Sequence, residues 1–178
     1  MKNDSLAGFT IIEMIVVIVI ISIVSVVVMS RFIGGNAFNG IIVRDQIVSL
    51  SRSALLNSLG RTGVTLTITP SASGDEVTIV TSDVGGTIAS ITTDLNTVTL
   101  SGDINSTDSC ETTAGVNTIT NVTPMTVAFG ALGDLGISGV TGSTGAVTSA
   151  LRICINDVAV NSICFSPSGF AYAGDCDV

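Results

Sequence analysis

The feature that most constrains this chain is an apolar run near its N-terminus, Ile11–Met29, which carries one carboxylate, Glu13. Nearly every other residue of the run is Ile, Val or Met. A helix of about 20 apolar residues crosses the hydrocarbon core of a bilayer, and the segment 9–30 supplies that length. A carboxylate in such a helix costs a few kcal/mol unless it finds a partner. The run predicts a transmembrane helix in which Glu13 has a functional reason to be present.

Two simpler interpretations of the run fit less well. A cleaved secretory signal peptide has a basic start, a short apolar core and a cleavage site between small residues. Here the apolar run is too long, Lys2 is offset by Asp4, and no small-x-small site follows near Met29. An ordinary membrane anchor fits the length but leaves Glu13 unexplained.

The stretch "AGFTIIEMIVVIVI" resembles the type III signal of type IV pilins and type II secretion pseudopilins. In that family a short polar leader ends in Gly and is followed by Phe-Thr, two apolar residues, Glu and a long apolar run; the chain has Gly8, Phe9, Thr10 and Glu13 at these places. The resemblance implies that a prepilin peptidase cleaves between Gly8 and Phe9 and that the new amino group of Phe9 is N-methylated. It also implies that Glu13 pairs with the N-terminal ammonium of a neighbouring subunit.

The same resemblance implies the partners and the location of the protein. The partners would be prepilin peptidase, other pilin or pseudopilin subunits, an inner-membrane assembly platform and the membrane itself. The protein would lie in the bacterial inner membrane as a single-pass protein with a periplasmic head, and then in a pilus, fimbrium or pseudopilus.

A second helical segment follows the apolar run after a weak point at "RFIGGNAFNG". Gly34 and Gly35 each cost about 1 kcal/mol in a helix relative to Ala, so a hinge or frayed turn is predicted there. The next residues have apolar positions near a 3.6-residue period and end at Gly60, which predicts an amphipathic helix packed on a sheet. Its predicted apolar stripe is Phe38, Ile41, Ile42, Val48, Ala54, Leu55 and Leu59, with Arg44 and Arg52 among the outward residues.

Beyond Gly60 the chain is rich in Thr, Ser, Val and Gly, and its apolar residues alternate in short segments separated by turn residues. This pattern predicts roughly eight β-strands. The predicted fold class is therefore α+β, with one long hydrophobic and then amphipathic N-terminal helix packed on a β-rich globular domain, as in type IV pilins. The predicted divisions are a leader at 1–8, a transmembrane and filament-core helix at 9–30, its amphipathic continuation at 31–60 and an exported head at 61–178.

All four cysteines lie in the predicted head, which indicates disulfide bonds formed in an oxidising compartment. "ICINDVAV" predicts a tight hairpin that turns at Asn156-Asp157, and "FSPSGFAY" predicts a second hairpin. If both hairpins are regular, strand parity favours the pairs Cys154–Cys176 and Cys110–Cys164, with Gly174 letting the tail bend back. Four cysteines allow three connectivities, so the others stay open.

Composition and motifs argue against several functions. The net charge is −8, and the 6 basic residues are scattered, against the clustered cations that nucleic-acid binding needs. Without His, a Ser-His-Asp or Cys-His arrangement cannot form, so no enzymatic activity and no cofactor are predicted. The loop "DINSTD" has loosely calcium-like spacing but lacks the Gly and Glu of an EF-hand loop. A solvated loop, and no metal site, is predicted for Asp103, Asn105, Thr107 and Asp108.

The C-terminal text also loosely resembles minor pilins of the group that includes secretion pseudopilin H and fimbrial minor pilins of the FimT type. This resemblance favours a minor pilin, in a mannose-sensitive haemagglutinin type of pilus. A type II secretion pseudopilin and a major pilin are the alternatives within the family. An adhesin or a DNA-uptake protein displayed on a pilus is the alternative from another class.

Overall fold

The computed structural model describes residues 10–32, 35–105, 109–110 and 117–176. The chain forms two compact units, Met1–Gly35 and Asn36–Val178. Helix α1 (Ile11–Phe32) belongs to the first unit, and helix α2 (Gly35–Ser58) lies almost wholly in the second. The strands of the second unit are β1 (Val64–Pro70), β2 (Glu76–Asp83), β3 (Gly86–Asp94), β4 (Leu100–Ile104), β5 (Asn117–Thr118), β6 (Met125–Phe129), β7 (Ile137–Val140), β8 (Ser143–Ala146), β9 (Leu151–Ile155), β10 (Val158–Phe165) and β11 (Ala171–Ala173).

The prediction of one long N-terminal helix packed on a β-rich domain is wrong. The helical residues form two shorter helices, one ending at Phe32 and the other beginning at Gly35. The sequence there contains Gly34 and Gly35, which disfavour helix because glycine loses the most backbone freedom on ordering. The described residues are mostly β, with eleven strands in two antiparallel sheets.

The prediction of a single-pass inner-membrane protein is also corrected. Among the described residues, no helix combines the length and the apolarity that crossing a membrane requires.

The first sheet has the strand order β3-β2-β1-β6-β7-β8. Its central strand β1 alternates strictly between buried and half-buried residues, as expected for a strand with one face on a core. Leu66 and Ile68 of β1 and Val77 and Ile79 of β2 are fully buried. These four side chains form one wall of the core of the second unit.

The second sheet has the order β11-β10-β9-β4-β5 and supplies the opposite wall of the core. Ile153, Ile163 and Phe165 point into that core and are fully buried. Strand β9 is buried at all five positions, so both of its faces are covered. The face of β9 that points away from the core is covered by segments that carry the disulfides.

Helix α2 packs against the same core through a different stripe from the one predicted. Val43, Ile47, Leu50 and Ala54 are buried at spacings of three and four residues, which places them on one helix face. Val48 and Ala54 of the predicted stripe are buried, whereas Phe38, Ile41 and Leu59 are exposed. Because α2 has apolar residues on several faces, the sequence pattern did not identify the face that packs on the core.

Arg44 and Arg52 of α2 were predicted to face outward, and Arg52 is exposed whereas Arg44 is half-buried. Both also reach the second sheet. The Nη1 atom of Arg44 donates a hydrogen bond to the Val160 carbonyl at 3.2 Å. The Nε atom of Arg52 donates to the Ala171 carbonyl at 3.1 Å, and its guanidinium lies 5.2 Å from the centre of the Phe170 ring. Both arginines therefore attach α2 to the strands β10 and β11.

Candidate functional site

Helix α1 begins with a hydrogen-bonded cap formed by Thr10. The Glu13 N–H donates to the Thr10 hydroxyl at 3.4 Å and to the Thr10 carbonyl at 3.1 Å. Thr10-Ile11-Ile12-Glu13 matches the capping-box pattern, in which a Thr is followed three residues later by Glu. The sequence prediction for Glu13 concerned only its charge and did not include this part in the helix cap. Position 13 therefore combines a helix-start signal with an exposed carboxylate.

From Ile11 to Ser25, helix α1 is apolar at most positions and exposed on all sides. Its large hydrophobic side chains from Ile11 to Val24 are between 45% and 82% exposed. Ser22 and Ser25, which interrupt the apolar surface, donate their hydroxyls to the carbonyls of Ile18 and Ile21 at 2.7 Å each. Both polar groups are therefore satisfied within the helix, and α1 can enter an apolar environment without leaving a bare hydroxyl donor. A helix of this composition is normally buried.

The other residues assigned to processing are Gly8 and Phe9, and both lie outside the described residues. Their assignment as the cleavage and N-methylation site stays a prediction. Glu13 lies within the first turn of α1, close in sequence to the predicted new N-terminus.

The prediction that the four cysteines form disulfides is confirmed, but the preferred pairing is wrong. The bonds are Cys110–Cys154 and Cys164–Cys176, with Cα separations of 5.6 and 5.1 Å. The predicted partner of Cys154 was Cys176, which requires the tail to cross β10 to reach β9. Cys176 instead bonds to Cys164 on β10, the strand next to β11.

An irregularity in β10 explains why the parity argument failed. The predicted turn at Asn156–Asp157 is confirmed, since Ile155 pairs with Val158 and both turn residues have positive φ, 56° and 54°. Regular pairing would then place Val160 opposite Ile153, yet Ile163 occupies that position. This shift of three residues is odd, so every side chain beyond it moves to the other face.

The second hairpin contributes a further shift. Phe165 pairs with Ala171 rather than with Phe170, and Cys164 pairs with Tyr172 on one side and Arg152 on the other. The chain then turns at Gly174, whose φ is 117° and whose N–H donates to the Ser162 carbonyl. As predicted, Gly174 lets the tail fold back, but it brings Cys176 to the nearer strand.

Arg152, Cys154 and Cys164 share the face of the second sheet that points away from the core, here called the disulfide face. The Arg152 side chain is only 3% exposed, and its Nε atom lies 2.8 Å from Oδ1 of Asp175. The two groups form an ion pair but not a hydrogen bond. Neither Nε nor Nη1 of Arg152 has a hydrogen-bond acceptor with suitable geometry among the described residues. Cys110 and Cys176 cover this face from the neighbouring loop and tail.

Asn105 joins its loop to the segment 146–149 through hydrogen bonds. Its Oδ1 accepts hydrogen bonds from the backbone N–H groups of Thr148 and Ser149, and its Nδ2 donates to the Ala146 carbonyl. No group of three or more metal-ligating His, Cys, Asp or Glu residues occurs in the described part of the chain. Of the other residues considered, Asp103 lies on β4 and its Oδ1 accepts the Ile104 N–H at 2.8 Å, whereas Thr107 and Asp108 lie outside the described residues.

A shallow cleft of about 360 Å³ lies between residues 70–74, 95–100 and 118–121. Its lining consists of apolar, hydroxyl, amide and backbone groups and contains no ionisable side chain. A ligand in this cleft would therefore form hydrogen bonds with uncharged groups.

Comparison of the chain with protein-family models, with curated proteins and with solved structures found no match.

Proposed function

We propose that this protein is a subunit of a type IV pilin-like filament, assembled through α1 after prepilin peptidase removes residues 1–8. The observation that supports the proposal is the surface of α1 from Ile11 to Ser25, which is apolar at most positions and exposed on all sides of the helix. Burying one Ile or Val side chain contributes about 1.5–3 kcal/mol. Packing among the same helices of other subunits would bury many such side chains at once.

Glu13 has a specific role in this assembly. Inside a bundle of apolar helices an unpaired carboxylate is costly, whereas a paired one is favourable only in one geometry. The N-terminal ammonium that cleavage creates at Phe9 in a neighbouring subunit is a cation of the right position and size. Glu13 would therefore set the register between successive subunits, and N-methylation of Phe9 would leave the charge in place.

The second unit forms the head of the proposed subunit. Its two disulfides are typical of proteins that fold in an oxidising compartment. Both bonds lie on the disulfide face and its covering segments, so they stabilise the head without involving α1. The proposed partners are prepilin peptidase and other pilin subunits, and we propose the role of a minor pilin.

The experiment must separate the charge of Glu13 from its contribution to the helix cap. Glu13→Gln removes the charge but keeps a residue that suits the capping box, and Glu13→Leu removes both. In cells with an active type IV assembly system, we expect each variant to lower incorporation into filaments at least tenfold, measured by immunoblotting of sheared filaments.

The matched control is Thr10→Ala, which weakens the cap by about 1 kcal/mol and keeps the carboxylate. Its incorporation should stay within about fivefold of the unmodified chain, the factor to which about 1 kcal/mol corresponds. Normal incorporation of Glu13→Gln would contradict the proposed charge pairing. If only Thr10→Ala failed to assemble, helix capping rather than charge would be the function of this segment.

A further inference from the structure

The two sheets present four edge strands among the described residues, and only one of them is long. The edges β5, β8 and β11 contain 2, 4 and 3 residues, whereas β3 contains 9. An edge strand exposes unpaired backbone N–H and C=O groups that can pair with another chain, and short edges are one way in which proteins avoid this. Strand β3 is too long to be protected in this way.

Strand β3 also lacks most other protective features. From Val84 to Thr93 the chain has no charged residue and no proline. A register shift leaves Ile88 without a partner in β2, and beyond it Ala89–Asp94 pair regularly with Thr81–Glu76. Every residue of β3 is exposed or half-buried. A regular six-residue edge, Ala89–Asp94, is therefore open to pairing.

We propose that β3 pairs antiparallel with β3 of a second copy of this chain, with Ile91 opposite Ile91 at a two-fold axis. In this register Ala89 lies opposite Thr93 and Ser90 lies opposite Thr92. Residues of the same parity face each other, so the side chains that pack on the core, Ala89 and Ile91, stay on the core side in both copies. The two first sheets would then form one continuous sheet, the isologous arrangement of a symmetric dimer.

Electrostatics permits this pairing although the chain carries a net charge of −8. The acidic residue on the strand itself is Asp94, at its end. In the proposed register the two Asp94 Cα atoms are separated by six residues, or about 20 Å at 3.4 Å per residue. This exceeds the Debye length of about 8 Å at physiological ionic strength. Because the strand has no charge from Gly86 to Thr93, two copies can pair along it without placing like charges opposite each other.

The test measures distances between spin labels in the full chain, kept in detergent so that α1 is covered. Asp94→Cys carries the label, and the four native cysteines remain in their disulfides. Double electron–electron resonance should give a narrow distribution centred between about 20 and 30 Å, from the 20 Å backbone separation plus the label arms. A distribution without a narrow component would overturn the proposal.

Two lysine variants provide a matched pair for this measurement. Thr92 of β3 and Thr78 of β2 lie side by side, and their hydroxyls share one hydrogen bond of 3.1 Å. Thr92→Lys and Thr78→Lys both lose that bond, but only Thr92→Lys places a cation on the edge. We expect Thr92→Lys to abolish the narrow distance and Thr78→Lys to keep it. Persistence of the distance in both variants would assign the association to another surface and overturn the β3 pairing.

Discussion

Asp175→Asn is expected to lower the free energy of unfolding by about 3 kcal/mol, although it replaces only one atom. The substitution leaves Arg152 charged in a site where its side chain is 3% exposed. Removing one partner of a buried ion pair typically costs about 3–5 kcal/mol, because the other charge stays buried without compensation. The lower end applies here since the Asp175 side chain is 27% exposed and water reaches it. Urea unfolding of the oxidised protein measures the difference.

The double variant Arg152→Met/Asp175→Asn distinguishes a loss of charge pairing from a loss of packing. The double variant has no charge left at either position, with apolar Met at the buried position 152 and a neutral amide at the partly exposed position 175. Removing both charges of a buried pair is often neutral or stabilising. The double variant should therefore recover to within about 1 kcal/mol of the unmodified protein. A double variant as unstable as Asp175→Asn would mean that the tail is held by contacts other than the ion pair.

Gly169→Ala is expected to destabilise the head by about 2–5 kcal/mol for two separate reasons. Gly169 has a φ of 78°, a left-handed conformation that costs a residue with a side chain about 1–2 kcal/mol. An added Cβ atom would also collide with the Gly133 carbonyl oxygen and lie 3.0 Å from Leu55 Cδ1. The loop around Gly133 would have to move, which adds about 1–3 kcal/mol. Thermal and urea unfolding measure the total.

Gly142→Ala is the matched control for this prediction. Gly142 also has a left-handed φ, 93°, but no atom lies within 4 Å of an added Cβ. Its substitution should cost only the backbone term of about 1–2 kcal/mol. Equal losses in the two variants would contradict the close approach between the β10–β11 hairpin and the loop at Gly133.

Local features of the fold could be predicted from the sequence because they depend on neighbouring residues. Alternation in β1 follows from the pattern of Val64, Leu66 and Ile68, and the tight turn follows from Asn156-Asp157, which tolerate positive φ. The disulfide pairing depends on register over two hairpins. The three-residue shift before Ile163 includes a hydrogen bond from the Ser162 hydroxyl to the Ala159 carbonyl, and no sequence pattern marks it.

The candidate site could be predicted only where it is continuous in sequence. Thr10 and Glu13 lie three residues apart, and this capping-box pattern in the sequence was sufficient to predict the start of α1. The pair Arg152–Asp175 joins residues from β9 and the tail, so it requires the fold. A signal did exist, because Arg152 alternates with Cys154 on β9 and Asp175 precedes Cys176. A charged residue beside a bonded cysteine on a covered face needs an opposite charge nearby.

The most direct test of filament-subunit function is the intact mass of the oxidised protein, purified from cells with and without an active prepilin peptidase. With the active peptidase, the protein should start at N-methylated Phe9 and have all four cysteines in disulfides. Without the peptidase, residues 1–8 should remain. A product that still starts at Met1 in cells with the active peptidase would contradict the pilin-like function.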